Sequence, residues 1–291
     1  MPSRLLIYLN EMFPLSNIIG SLLTTLTMQF ILLRLSGLPL EWNTMMILPA
    51  LAQVSFSLLI RVMDEFKDYD DDLKNFPQRP LPSGRVLKSD LHVLGWMTVV
   101  SALFFSATSL ETVGWALIVL AYSFLMLKWF FIEFTIRKSL PLALLTHHPV
   151  VILHFAYLLV ALGGWNPGFN WREGIYAFPI VLLFTNWEIS RKIRMPEEET
   201  AYTTYSKIWG PKAAALICLS LQLIVQAAVG FIFYRFQTPL YFVGIYYFFY
   251  LTLVYPYVNF LFTLKLTATL KKMAESQILF VIGALLISCF L

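Results

Sequence analysis

Six of the 17 Asp and Glu residues fall between Asp64 and Asp72, and four more between Glu188 and Glu199. In the first stretch Asp64, Asp68 and Asp72 are spaced four apart. On a helix each such step drifts only about 40° and rises about 6 Å, so the three carboxylates form one stripe. Left unpaired, they repel one another. A hard divalent cation relieves that repulsion, and Mg²⁺ takes one or two carboxylates together with waters and phosphate oxygens. The same pattern also suits a solvated, charged helix end. The segment Phe76-Pro77-Gln78-Arg79-Pro80-Leu81-Pro82-Ser83-Gly84-Arg85 follows directly. Its three prolines stiffen it, Gly84 permits a tight turn, and Arg79 and Arg85 offer guanidinium forks suited to phosphate.

The second stretch runs from Asn186-Trp187-Glu188 through Arg191-Lys192-Ile193-Arg194 to Glu197-Glu198-Glu199 and Thr203-Thr204-Tyr205-Ser206. Glu188 lies at the mouth of an apolar run, where an unpartnered carboxylate is costly and a metal or a basic group is expected beside it. Glu188 and Lys192 can pair at i,i+4, and Arg191, Lys192 and Arg194 can equally mark a cytoplasmic membrane face.

The elements that position these residues follow from composition. The chain has 291 residues, 58% hydrophobic and 13% charged, with a mean hydropathy of +0.71. That leaves too little polar surface for a soluble globule and specifies an all-α, multi-pass membrane protein. Aromatic residues make up 16%, enough for interfacial belts or an aromatic-lined cavity. Cys218 and Cys289 lie in apolar runs, which argues against a disulfide framework or a thiolate metal site. Apolar stretches of spanning length predict nine transmembrane helices near 14–35, 43–66, 90–110, 112–128, 139–163, 174–193, 211–234, 239–263 and 273–291, in one domain over 1–291. The Gly163–Gly168 segment, with Trp165, reads as an interfacial turn. No cleavable signal precedes the first span. A cytoplasmic N-terminus puts 17 of the 21 Lys and Arg residues inside and only Arg34, Arg172 and Arg235 outside, with Arg61 within a span. The positive-inside rule then places the C-terminus outside, and the membrane is the inner one if the host is bacterial. This sorting by side, despite a net charge of +4, argues against a nucleic-acid partner.

Spans two and six both run from an apolar body into a charged end on the same side, like diverged halves of a duplication. Two such ends facing each other would clamp a cation and a diphosphate over an apolar chamber walled by aromatic side chains, including some of Tyr157, Phe184, Trp187, Tyr247 and Tyr250. That specification suits an isoprenyl diphosphate. A transporter reading would need charged groups at mid-membrane and broken helices in paired positions, whereas the acidic groups here lie at an interface.

The segment Asp64-Glu65-Phe66-Lys67-Asp68-Tyr69-Asp70-Asp71-Asp72, followed by Arg79-Pro80-Leu81-Pro82-Ser83-Gly84, resembles the motifs of the UbiA superfamily of intramembrane prenyltransferases. Asp64 stands at that family's Asn position and Glu65 at its first Asp. Tyr122-Ser123 and Lys128, at the end of span four, are similar to the family's Tyr and Lys that approach the diphosphate. The resemblance implies nine helices, Mg²⁺ as cofactor, Asp64, Glu65, Asp68, Asp72 and Glu188 as ligands, and Arg61, Arg79, Tyr122, Lys128, Arg191 and Arg194 around the substrate. The second family motif, D-x-x-x-D, is altered: Glu188 stands for its first Asp, but Lys192 stands at the second. Lys192 either supplies fixed charge in place of a metal or leaves the second ligand to Glu197, Glu198 and Glu199. Catalysis would then fall to Asp64, Asp68, Lys128, Glu188 and Lys192, drawing off diphosphate to leave an allylic cation. In a transferase an acceptor such as an aromatic ring captures that cation. In a UbiA-type terpene cyclase its own distal double bond does. Asn17, His147 and His148 are polar groups at membrane depth, read equally as acceptor contacts or as satisfied packing residues.

Overall fold

A computed structural model describes residues 1–164, 166, 168–199, 203–265 and 267–291, without the side chains of residues 171, 267 and 268. Trp165, expected at the interface, lies outside the described residues. In chain order the helices are α1 (Pro2–Met12), α2 (Leu15–Leu35), α3 (Ile47–Lys67), α4 (Tyr69–Asn75), α5 (Lys88–Ser106), α6 (Leu110–Leu127), α7 (Glu133–Arg137), α8 (Leu140–His147), α9 (Pro149–Gly163), α10 (Gly174–Ala177), α11 (Leu182–Ser190), α12 (Tyr205–Trp209), α13 (Pro211–Phe236), α14 (Leu240–Thr263) and α15 (Thr267–Ser288). Among the described residues there is no strand.

Seven segments among the described residues are long and apolar enough to cross a bilayer: Leu15–Leu35, Thr44–Lys67, Lys88–Ser106, Leu110–Leu127, Leu140–Gly163, Pro211–Phe236 and Leu240–Thr263. The other two expected spans differ from simple apolar helices. The region 174–193 is broken into α10, a 3₁₀ turn Phe178–Val181 and α11, because Pro179 cannot donate the helical hydrogen bond at that point. The last span starts earlier than its apolar run, α15 taking in Lys271, Lys272 and Glu275. Helix α1 was not expected from spanning length at all. It is an 11-residue helix opened by Pro2.

The chain divides into two compact units, Met1–Gln29 with Glu41–Thr135 and Ala156–Pro167, and Phe30–Leu40 with Ile136–Phe155 and Gly168–Leu291. In the first, α3 packs along α5, and α6 lies against both. Val62 faces Gly95. Tyr8, Val62, Leu81, Val86, Leu91 and Leu94 form a core beneath the Arg79–Arg85 loop, so that loop is anchored by burial and not only by its prolines. Tyr157 is fully buried, hydrogen-bonded to Ser106 at 2.9 Å and edge-on to Phe56.

In the second unit, α11, α13 and α15 meet at a closed ring of amides. Asn186 Nδ2 donates to Gln277 Oε1 at 3.0 Å, Gln277 Nε2 to Gln222 Oε1 at 3.1 Å, and Gln222 Nε2 to Asn186 Oδ1 at 3.3 Å. All three are buried, and such a ring fixes helix register because any rotation strands its donors. One turn further along, Ser190 bonds Tyr257 at 2.7 Å. Arg34 donates to the carbonyls of Cys289 and Phe236 at 2.8 and 3.2 Å, capping the ends of the chain's last helix and of α13. Both cysteines are free thiols.

Candidate functional site

The acid stripe is built at the end of α3. The backbone N–H of Asp68 bonds the Asp64 carbonyl at 2.9 Å, and that of Asp72 bonds the Asp68 carbonyl at 2.8 Å, so successive carboxylates remain one turn apart. The helix is not continuous through them: Asp68, at φ −101° and ψ 11°, is the C-cap of α3 and the N-cap of α4. The break has an electrostatic advantage, since it places Asp70, Asp71 and Asp72 in the first turn of a new helix, at the positive end of its dipole.

Of the five expected ligands, four lie here, and three of these are engaged by basic neighbours. Asp64 Oδ1 lies 2.7 Å from Lys67 Nζ, and Glu65 Oε1 pairs with Arg61. Arg79 Nη1 reaches both oxygens of buried Asp72, at 2.7 and 2.6 Å, with its guanidinium over the Phe76 ring. Asp68 alone of the stripe has no side-chain hydrogen bond or ion pair among the described residues. Burial pushes its carboxyl up to about 6, against the pull of Lys67 and with added push from Asp64, Asp72 and Asp71. Glu65 is 1% exposed, and its Oε2 has no hydrogen-bond partner.

Among the described residues, no three His, Cys, Asp or Glu side chains form a group that could hold a metal as they stand. The donor set nonetheless fits Mg²⁺. Glu65 Oε2 is an orphaned buried oxygen, Asp68 is a desolvated carboxylate, and both are hard oxygen donors. One ion would offset the two unmet interactions that the basic neighbours leave behind.

The remaining expected groups of this unit are close to the same end in sequence or contact. Tyr122 lies edge-on to Phe130, and Lys128, exposed, is the C-cap of α6. Trp129, Phe130 and Phe131 then run with φ of 49°, 52° and 60°, a left-handed turn that non-glycine residues adopt at a cost of about 1–2 kcal/mol each. It brings the Trp129 ring under Lys67 Nζ, 5.2 Å from the centroid. Arg85 is not a free fork. Both its terminal nitrogens pair with Glu11, and it also donates to the Gln78 carbonyl at 2.7 Å.

The second charged end shows the pairing that its spacing allowed. Glu188 accepts from Arg191 Nε at 2.6 Å and lies 2.9 Å from Lys192 Nζ. The arginine stacks over Trp187, and Lys192 lies over Tyr205. The following loop does fold back: Tyr205 N–H donates to the Lys192 carbonyl at 3.1 Å, and Arg194 N–H to Ser206 Oγ at 2.8 Å. Two of its carboxylates are engaged within it, although Glu199 Oε2 is buried without a hydrogen-bond partner. Glu199 Oε1 accepts from Thr204 and Ser206 at 2.5 and 2.8 Å, and Glu198 accepts from the Met195 N–H. Residues 200–202 lie outside the described residues.

The groups read as acceptor contacts are mostly occupied. His148 Nε2 is 2.6 Å from Thr185 Oγ1, His147 Nδ1 is 3.0 Å from the Ala143 carbonyl, and Asn17 is exposed. Of the five aromatic residues expected to wall a chamber, Tyr157 belongs to the first unit and Phe184, Trp187, Tyr247 and Tyr250 to the second. There Tyr250 stacks on Tyr246 and Tyr246 on Phe280. Tyr247 donates to the Gln226 carbonyl at 3.2 Å, above Gly230, where a Cβ would stand 2.8 Å from its hydroxyl. Sequence reasoning missed Tyr8 and the amide ring of Asn186, Gln222 and Gln277.

No family model matches the chain. By sequence it is 25% identical over 186 residues to digeranylgeranylglyceryl phosphate synthase of Methanobrevibacter smithii, covering 56% of this chain and 58% of that protein. The match thus spans under two thirds of the relative's length. By fold it is similar to a structure from work on digeranylgeranylglyceryl phosphate synthase in membranes, with a TM-score of 0.61 at 18% identity over 99% of each chain. It is also similar to the apo structure of a UbiA homolog from Aeropyrum pernix K1, with a TM-score of 0.66 at 16% identity over 93% of this chain and 98% of that one. The chain is therefore an all-α polytopic membrane protein. Its fold is similar to that of a UbiA homolog, the fold that the resemblance of the Asp64–Asp72 and Arg79–Gly84 segments implied.

Proposed function

We propose that the protein is a Mg²⁺-dependent intramembrane prenyltransferase that ionises an isoprenyl diphosphate and passes the prenyl group to an acceptor. The observation that carries this reading is the end of α3, where Asp68 and Glu65 Oε2 remain uncompensated beside Arg61, Lys67 and Arg79. Such an end is short of a cation and lies next to groups that bind phosphate. Mg²⁺, when bound, supplies charge that stabilises the departing diphosphate.

The residues of the chain do the rest. Asp68 and Glu65 Oε2 would hold the ion, with Asp64 and Asp72, now paired with Lys67 and Arg79, able to join them. Arg61, Arg79 and Lys128 would then be free to bind phosphate oxygens, with Tyr122 assigned to the same group by the family resemblance. The allylic C–O bond breaks with its electron pair leaving on the diphosphate. A nucleophilic atom of the acceptor forms the new bond to carbon and gives up a proton. At the second end Glu188, paired with Lys192 and Arg191, keeps fixed positive charge at a position where the family pattern has carboxylate, and Arg194 adds to it. Aromatic side chains shield the cation from water and stabilise it through their faces.

The name of the sequence relative makes geranylgeranyl diphosphate the first donor to test. It makes a glyceryl phosphate the first non-aromatic acceptor, beside the aromatic acceptors suggested by the superfamily. The test is purified protein with Mg²⁺, donors of graded chain length, and each acceptor in turn, followed by product extraction. Prenylated acceptor supports the transferase. Cyclic hydrocarbon formed rapidly without acceptor would replace it with the terpene cyclase.

A further inference from the structure

Helix α1 lies outside the spanning segments, and ion pairs pin it at both ends. Near its start Arg4 grips Asp90 through Nε and Nη2, at 2.6 and 3.0 Å, and near its end Glu11 takes both terminal nitrogens of Arg85. Between these pins its inner face packs on Val62, Leu81, Val86, Leu91 and Leu94. Tyr8 is the buried centre of that face, 0% exposed, and its hydroxyl has no hydrogen-bond partner.

A phenylalanine would fill the same space without an unmet O–H. The charges that bear on the phenol are those of Glu65, Arg61 and Asp64, and Glu65 Oε2 is the second orphaned atom at this place. Both are buried polar atoms without a partner, and Glu65 is close enough to Tyr8 to act on its phenol, so the pair marks a place where a partner is missing. The partner must accept from an O–H and carry a cation toward a carboxylate, which a metal-bound phosphate group does. Burial, with Glu65 and Asp64 against Arg61, holds the phenol well above its ordinary range, so it stays a neutral donor.

We propose that Tyr8 is a substrate-binding residue whose O–H donates to a non-bridging oxygen of the diphosphate held at the end of α3. This rests on the prenyl-diphosphate reading above. A neutral donor suits the position, since it binds the anion without competing with the metal for the carboxylates. It also makes α1 part of the site, held in place by Arg4 and Glu11.

The test compares wild type with Tyr8→Phe in three measurements: thermal unfolding without ligand, Mn²⁺ binding alone by electron paramagnetic resonance, and calorimetric binding of inorganic pyrophosphate in Mg²⁺. The variant should unfold at the same or a higher temperature, because an unsatisfied group has been removed. It should bind Mn²⁺ alone unchanged and bind pyrophosphate about tenfold more weakly, the effect of one lost hydrogen bond to a charged acceptor. Unchanged pyrophosphate affinity would overturn the assignment. So would a lower unfolding temperature, which would make the hydroxyl structural, or an equal loss of Mn²⁺ binding, which would place Tyr8 on the metal. Wild type that binds no pyrophosphate would overturn the function itself, and the assignment with it.

Discussion

Replacing Asp68 with Asn should stabilise the metal-free protein while abolishing its turnover. The carboxyl of Asp68 is raised to about 6 from an ordinary 3.8, chiefly by burial. A group whose folded pKa is raised contributes stability that is fully present below its unfolded pKa and lost as pH rises through the folded one. The window therefore runs from about pH 4 to pH 7. Over it the charged Asp68 costs the folded state about 1.4 kcal/mol per unit of difference, roughly 3 kcal/mol in full and well under 1 kcal/mol at pH 4. Asn cannot ionise, so Asp68→Asn should recover most of this at pH 7.5 and little at pH 4. At about 2–4 °C per kcal/mol, the gain at pH 7.5 is several degrees. The assay is thermal unfolding in detergent at both pH values, with chelator and with excess Mg²⁺. Mg²⁺ should raise the wild-type Tm at pH 7.5 and leave the variant's nearly unmoved. A variant less stable than wild type at pH 7.5 in chelator, or equally stabilised at both pH values, would refute the reasoning.

Lys192→Asp places a second carboxylate four residues from Glu188 and removes its 2.9 Å partner; steady-state kinetics should show turnover down by tenfold or more and a raised KM for the diphosphate. A more active variant with steeper Mg²⁺ dependence would make Lys192 a bystander. Asn186→Leu opens the amide ring and leaves Gln222 and Gln277 each short of a partner. Unfolding in detergent should register a loss of about 1 kcal/mol or more. Gly230→Ala drives a methyl group to 2.8 Å from the Tyr247 hydroxyl, and displacing that ring should cost about 1 kcal/mol or more, measurable the same way.

What the sequence made legible was what composition and short spacing encode. Uncharged runs marked the long helices because a bilayer permits little else, and the Asp64, Asp68 and Asp72 spacing survived as successive backbone-bonded turns even though the helix breaks at Asp68. The pairing of Glu188 with Lys192 was readable because i,i+4 neighbours on a helix meet whatever the fold. Other features depend on contacts distant in sequence. Arg85 looked like a phosphate fork until Glu11, 74 residues earlier, occupied it. The ring of Asn186, Gln222 and Gln277 takes one amide from each of three helices, and no spacing within any one of them shows which amides meet. Helix α1 is too short to signal itself by spanning length, yet Leu5, Tyr8, Leu9 and Met12 recur at helical spacing, and that was the available sign. Three left-handed aromatic residues at Trp129–Phe131 carried no sign, since no glycine or asparagine marks the turn.

The central claim is that the carboxylates at the end of α3 ionise a metal-bound isoprenyl diphosphate for transfer. Its most direct test is release of pyrophosphate from geranylgeranyl diphosphate by wild type and Asp68→Ala, in Mg²⁺ and in chelator, with and without acceptor. The account predicts release by wild type only with Mg²⁺, rising sharply when the acceptor is added and matched by prenylated product, and at least tenfold slower in a folded Asp68→Ala, about 1.4 kcal/mol of barrier. Release that ignores Mg²⁺, or an Asp68→Ala enzyme that retains more than about a tenth of wild-type activity, would contradict it.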